Sequence, residues 1–177
     1  MKVYLYLEKY DELIVDTLKE SNEQIVSYTN VNDIIILKEE VFEEFDYSEI
    51  KDLLETDFNQ KITIVIGGIE SIVLNHISNL PSDVYYFDDL IVYLVNINKG
   101  VELKKWLNNF DVELVNTITK YIEFDMSINK TANELYIHRN TLNYRLDKFY
   151  NLTGLNVRTF KGSLAVYLIL NFVQTTN

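Results

Sequence analysis

The sequence contains no cysteine, so it offers neither a disulfide framework nor a thiolate metal site. It has no long apolar run either. Stretches such as Ile34-Ile35-Ile36-Leu37 fall far short of the roughly 20 residues that a bilayer demands, so no membrane partner is expected. The opening MKVYLYLEKYDEL turns acidic by Glu8 and has no small-residue cleavage site, which excludes a secretory signal and leaves a reducing cytoplasm as the expected compartment. With one proline and five glycines in 177 residues, no Pro/Gly/Ser-rich linker separates the parts of the chain. Alanine is just as scarce: Ala132 and Ala165 are the only two.

What is present is core material, with 47% apolar residues, 13% aromatic residues and an ordinary charged fraction of 24%. The net charge of −11 argues at first against nucleic acid, whose phosphates are held by cations. The distribution reverses that impression. Residues 1–112 carry 9 Lys/Arg against 22 Asp/Glu, a net of −13, whereas residues 113–177 carry 7 against 5, a net of +2. Within Ser127–Gly162 six basic residues (Lys130, Arg139, Arg145, Lys148, Arg158, Lys161) face two acidic ones (Glu134, Asp147). Such asymmetry points to a binding face on one part of the chain.

The periodicity changes at about residue 98. Before it, Val3–Leu7 alternates as a strand and Asp11–Leu18 has helical spacing. Gln24–Tyr28 and Asp33–Leu37 read as a hairpin turning at Thr29–Asn32. Glu39–Phe58 is an acidic amphipathic segment, Lys61–Ile66 a strand, Ser71–Leu80 a helix stopped by Pro81, and Val84–Phe87 a short strand. The fold class is therefore α+β: an N-terminal α/β sandwich with a βαββαβ core over 1–98, then an all-α domain over 99–177. Leu90–Val95 leans towards helix, and Lys99-Gly100 breaks the pattern before Glu102–Phe110.

The informative segment is Ser127–Gly154, SINKTANELYIHRNTLNYRLDKFYNLTG. Ser127 suits the N-cap of a short helix over Ile128–Leu135, and Ala132 suits the close approach of a crossing helix. A second helix runs from Arg139 to Tyr150, burying Leu142, Leu146 and Phe149 and ending near Gly154. The opposite side presents polar residues, and the first turn carries His138, Arg139, Asn140 and Thr141. Arginine pairs bidentately with guanine and asparagine with adenine, and recognition helices offer their N-terminal residues to base edges. Arg139, Asn140, Asn143 and Tyr144 are thus candidate base readers, while Thr141, Arg145 and Lys148 suit phosphates. His138 either caps this helix or joins the contact set. Arg145 either meets a phosphate or pairs with Glu134 or Asp147. Tyr136 occupies a turn position where many helix-turn-helix proteins use glycine, so a positive φ there would strain it.

The run Ile137-His138-Arg139-Asn140-Thr141-Leu142, with Tyr144-Arg145-Leu146 and then Leu152-Thr153-Gly154-Leu155, resembles the C-terminal domain of the PucR/CdaR type of regulators. Leu114–Phe124 resembles the helix before that motif, and Leu164–Leu170 the one after it. The resemblance covers about sixty residues. It implies a cytoplasmic transcriptional regulator that binds double-stranded DNA as a homodimer through the helix-turn-helix at 128–150. The N-terminal half is similar to a shortened, enzymatically inactive GGDEF-like domain. This chain has no room for the large upstream sensor domains of many members, and a small-molecule effector is left unspecified.

Other readings set the limits. Gly67-Gly68-Ile69-Glu70 evokes a cyclase signature or a phosphate loop, but the neighbouring positions Ile69 and Ser71 lack acidic metal ligands and no second glycine spacing completes the loop. No nucleophile–base pair or metal cluster is evident, so neither an enzyme nor a cofactor is expected. The acidic run Glu39–Glu44 reads as a solvated helix face, and His76 as structural. The final helix, Lys161–Gln174, is apolar nearly all round; it is buried either under the N-terminal domain or in a dimer interface. The alternative to a regulator is an interaction or effector-sensing module that no longer binds DNA, as the acidic N-terminal half would suit.

Overall fold

The structure, a computed structural model, describes residues 2–39 and 45–172. The chain divides into two compact units, Met1–Phe87 and Asp88–Asn177. The expected boundary lay near residue 98, at the break Lys99-Gly100. That break instead joins two helices of the second unit.

The first unit runs β1 (Lys2–Leu7), α1 (Glu12–Ser21), β2 (Ile25–Val31), β3 (Ile34–Glu39), α2 (Tyr47–Phe58), β4 (Ile62–Ile66), α3 (Glu70–His76) and β5 (Val84–Tyr86). This is the β-α-β-β-α-β-α-β order expected from the sequence. The sheet order is β2-β3-β1-β4-β5, with β4–β5 parallel and the other neighbours antiparallel. In the centre Leu5 lies opposite Ile35 on one side and Ile64 on the other. The period of two puts Val3, Leu5, Leu7, Ile35, Leu37, Ile62, Ile64 and Ile66 in one core with Ile14, Val15 and Leu18 of α1 and Ile50 and Leu54 of α2. Each such side chain contributes on the order of 1.5–3 kcal/mol on leaving water. Both helices start on aspartate: Asp11 accepts from the Leu13 N–H at 3.0 Å and Asp46 from the Ser48 N–H at 2.8 Å.

Two local expectations are corrected. The hairpin turns at Asn32-Asp33 rather than at Thr29–Asn32. Both residues have positive φ (50° and 63°), as the two-residue turn that follows strand twist requires, and β2 therefore continues to Val31. The helix after Gly68 stops at His76 and tightens into a 3-10 turn over Ile77–Asn79, because Pro81 forces Leu80 into extended backbone. Of the acidic segment, Glu39 ends β3 and α2 begins at Tyr47, while residues 40–44, with most of the Glu39–Glu44 run, lie outside the described residues. Of the glycine pair that evoked a phosphate loop, Gly68 has a packing role, since a Cβ there would stand 2.2 Å from the Phe87 ring.

The second unit is helical: α4 (Phe87–Asn96, beginning at the junction), α5 (Gly100–Leu107), α6 (Val112–Glu123), α7 (Ile128–Glu134), α8 (Arg139–Thr153) and α9 (Phe160–Leu170). α8 packs on α6 and α7, and α9 on α5 and α6. The last helix therefore buries Gly162, Ser163, Ala165, Val166 and Ile169 within its own unit, while Phe160 and Tyr167 remain exposed. Its burial is one-sided rather than all round. A Cβ on Gly162 would lie 2.1 Å from the Asn156 carbonyl oxygen, so only glycine lets α9 start this close to the preceding loop. Among the described residues no helix is long and apolar enough to cross a membrane.

Glu55 ties three parts of the first unit together. One carboxylate oxygen accepts from the Ile62 N–H at 2.8 Å and from the Ser82 hydroxyl; the other accepts from Lys51 Nζ at 2.8 Å. Burial pushes its pKa up, but these donors outweigh burial and hold it below the ordinary value. A depressed folded pKa gives stability that is present above the unfolded pKa and lost as pH falls through the folded value. Glu55→Gln is therefore expected to cost about 1–3 kcal/mol at neutral pH. The difference from the parent should start to shrink as pH falls past the ordinary carboxyl value, where the unfolded chain begins to protonate, and vanish once the folded carboxyl, held lower, protonates as well. Urea titrations between pH 3 and 7 check this (roughly two units either side of a carboxyl pKa); a pH-independent difference would contradict it.

Candidate nucleic-acid interface

α7, the turn and α8 form a helix-turn-helix whose local geometry is set by two helix ends. α7 starts after Ser127, but the Ser127 side chain makes no capping bond, contrary to expectation. The Ser127 carbonyl instead accepts from the Thr131 hydroxyl at 2.8 Å. At its C-terminus the Ile137 N–H donates to the Ala132 carbonyl and the Tyr136 N–H to the Asn133 carbonyl, at 3.0 and 3.1 Å. This reciprocal pair needs a left-handed residue between them, and Tyr136 supplies it at φ 53°. α8 starts on His138, whose Nδ1 accepts from the Asn140 N–H at 3.3 Å, and ends on Gly154 at φ 74°. His138 thus makes the capping contact that the sequence suggested, and its side chain is exposed.

Leu142, Leu146, Phe149 and Thr153 are buried along one side of α8, and Ala132 of α7 is buried as well. The helical period then puts Asn140, Tyr144 and Lys148, at i, i+4 and i+8, on the opposite side with Thr141 beside them. All four are exposed, as is Arg139 at the first helical position. These five of the eight predicted contact residues share a free surface around the front of the helix.

Asn143 and Arg145 are engaged within the domain. The Arg145 guanidinium donates to Thr117 Oγ1 at 3.0 Å and pairs with the Glu113 carboxylate, both on α6. Neither sequence candidate, Glu134 or Asp147, is its partner. Asp147 is taken by Arg158 at 2.7 Å; the same guanidinium donates to the Asn143 carbonyl at 3.2 Å, which ties the loop before α9 to the middle of α8. The sequence places Arg158 in the basic cluster but does not reveal this partner, which lies eleven positions and a loop away. Lys161 is likewise paired, with Asp89 at 2.9 Å. Of the six cations in Ser127–Gly162, Lys130, Arg139 and Lys148 are exposed and form no ion pair with the described residues. Asp147, the one acid on α8, is neutralised by Arg158. The outward surface can therefore offer hydrogen-bond donors, amides and positive charge to a polyanion.

The arrangement defines a helix-turn-helix domain with an uncovered second helix. Residues 114–172 match the PucR C-terminal helix-turn-helix domain. The chain is 31% identical over 97 residues to the Bacillus subtilis purine catabolism regulatory protein, covering 49% of this chain and 18% of that protein. It is 37% identical over 54 residues to the Escherichia coli carbohydrate diacid regulator (30% of this chain, 14% of that protein). To the Bacillus subtilis DNA-binding transcriptional activator AdeR it is 28% identical over 67 residues (38% and 16%). This segment is similar to the helix-turn-helix domain of PucR/CdaR-type regulators, and the chain spans less than a fifth of the length of each of these relatives.

The Arg145 brace makes a thermodynamic prediction. Arg145→Ala is expected to destabilise the protein by about 1–2 kcal/mol by leaving Thr117 and the α6–α8 contact without their donor. A double-mutant cycle with Glu113→Ala should give a coupling of about 0.5–1 kcal/mol, modest because Glu113 is largely exposed. Chemical denaturation of the four proteins measures both; additive effects would mean that the pair does not hold the helices together.

Proposed function

We propose that this protein is a sequence-specific transcriptional regulator of the PucR/CdaR type that binds double-stranded DNA as a homodimer through α8. One observation carries the reading. The free side of α8 holds Arg139, Asn140, Thr141, Tyr144 and Lys148 with no unneutralised carboxylate, while the helix is braced from behind. Arg139 and Asn140 suit guanine and adenine edges, with Tyr144 beside them, and Thr141 and Lys148 suit the flanking phosphates. Asn143 and Arg145 move from the contact set to the supporting one, and His138 acts by fixing the start of the helix. The relatives named as a DNA-binding activator and as metabolic regulators support the same reading.

Dimerisation answers the charge question. Three unpaired cations around the motif give weak binding in a chain of net charge −11, whereas two copies on half-sites about one turn (roughly 34 Å) apart gain through effective concentration. The N-terminal unit is read as the shortened GGDEF-like domain; its βαββαβ core, with β1 between β3 and β4, supports this. The whole is read as a cytoplasmic, non-enzymatic protein, its effector input undefined.

Gel-shift titration against genomic fragments at several salt concentrations tests the proposal. Selective binding with a steep loss of affinity in salt is expected; unselective or absent binding would favour the interaction-module reading that the acidic N-terminal unit suits. On a selected fragment Arg139→Ala should cost about 1–3 kcal/mol. Lys148→Ala should weaken selected and random duplexes alike and lower the salt slope by about one per copy. Full affinity in the first variant, or a sequence-selective loss in the second, would contradict these assignments.

A further inference from the structure

Tyr136 is the one residue of the helix-turn-helix that is strained and exposed together. It holds the left-handed position that ends α7, at φ 53°, a conformation that glycine adopts freely and that crowds a residue bearing Cβ. Its side chain packs on nothing: at 96% it is the most exposed large apolar residue among those described. Core packing therefore does not account for a tyrosine here, and the backbone disfavours one. Strain retained without structural benefit marks a position used for something else.

Its place in the motif says what. Tyr136 is two residues before His138, the cap of α8, and three before Arg139. Consecutive Cα atoms are about 3.8 Å apart, so its backbone lies within roughly 12 Å of the residues assigned to base edges. In a helix-turn-helix the front of the second helix enters the groove while the first crosses the backbone, so the turn between them passes the groove wall. We infer that Tyr136 is a further DNA-contacting residue, its phenol hydroxyl donating to a phosphate oxygen beside the half-site. This deepens the DNA-binding reading and rests on it. The contact is neutral and sequence-independent: it adds affinity on any duplex and releases no counterion.

Two variants of the full chain separate this role from a structural one. Tyr136→Phe keeps the ring and the strain; thermal stability should be unchanged while affinity for a random-sequence duplex with room for two half-sites falls about three- to ten-fold. Tyr136→Gly removes the strain; the melting temperature should rise by roughly 2–4 °C while affinity falls at least as far as in the phenylalanine variant. The slope of affinity against salt should match the parent in both, unlike Lys148→Ala. A merely structural tyrosine would move stability and affinity in the same direction, and that outcome overturns the inference. So does parental affinity in either variant, which leaves the DNA reading of α8 intact. Should the parent bind no duplex at all, the DNA reading fails and this assignment with it.

Discussion

Everything functional in this molecule depends on holding one helix by one side only. α8 has a narrow apolar stripe, Leu142, Leu146, Phe149 and Thr153, and most of its other positions are polar. Such a helix does not persist alone in water; its stability comes from the packing of that stripe against its neighbours. Two arginines complete the grip at the flanks. Arg145 reaches back to Glu113 and Thr117 on α6, and Arg158 reaches forward from the next loop to Asp147 and the Asn143 carbonyl. Because both guanidinium groups act from the sides, the front stays uncovered.

This division of labour resolves the electrostatic puzzle of the composition. Six cations around the motif suggest a basic patch, yet three of them neutralise acids inside the second unit. What they achieve is indirect: Arg158 neutralises Asp147, the one carboxylate on α8, and Arg145 and Arg158 hold the helix in place. A bidentate, always-charged guanidinium suits this bracing better than a lysine ammonium would, and Lys130 and Lys148 stay exposed with Arg139. The basic count in the sequence thus overstates the charge offered outward and understates the rigidity behind it.

Glycine scarcity leaves a second mark. Five glycines cannot serve every left-handed backbone position, so Asn32, Asp33, Asn59, Asn98, Asp125, Met126 and Tyr136 take positive φ instead. Asparagine and aspartate tolerate this through their short polar side chains. Met126 and Tyr136 have no such help and both flank α7, so the strained backbone gathers around the helix-turn-helix rather than spreading through the chain.

Much of this was legible in the linear order of residues. Alternation in VYLYL and KITIVI defined strands because side chains of a strand point to opposite faces whatever surrounds them, and the i, i+4, i+7 stripe of α8 defined its buried side for the same local reason. The His138-Arg139-Asn140-Thr141 run marked the start of that helix and its polar front. Strand ends were read less well: the tight turn at Asn32-Asp33 was placed early because Thr29-Asn30 carries equally good turn chemistry, and pairing with β3 decides between them. The partners of Arg145 and Arg158 were not legible at all. Sequence distance says nothing about which of several acids a long side chain meets, and only the crossing of α6, α8 and the loop before α9 brings Glu113 to one and Asp147 to the other. Local chemistry determined which helix could read a polyanion; tertiary packing decided which of its cations remain free to do so.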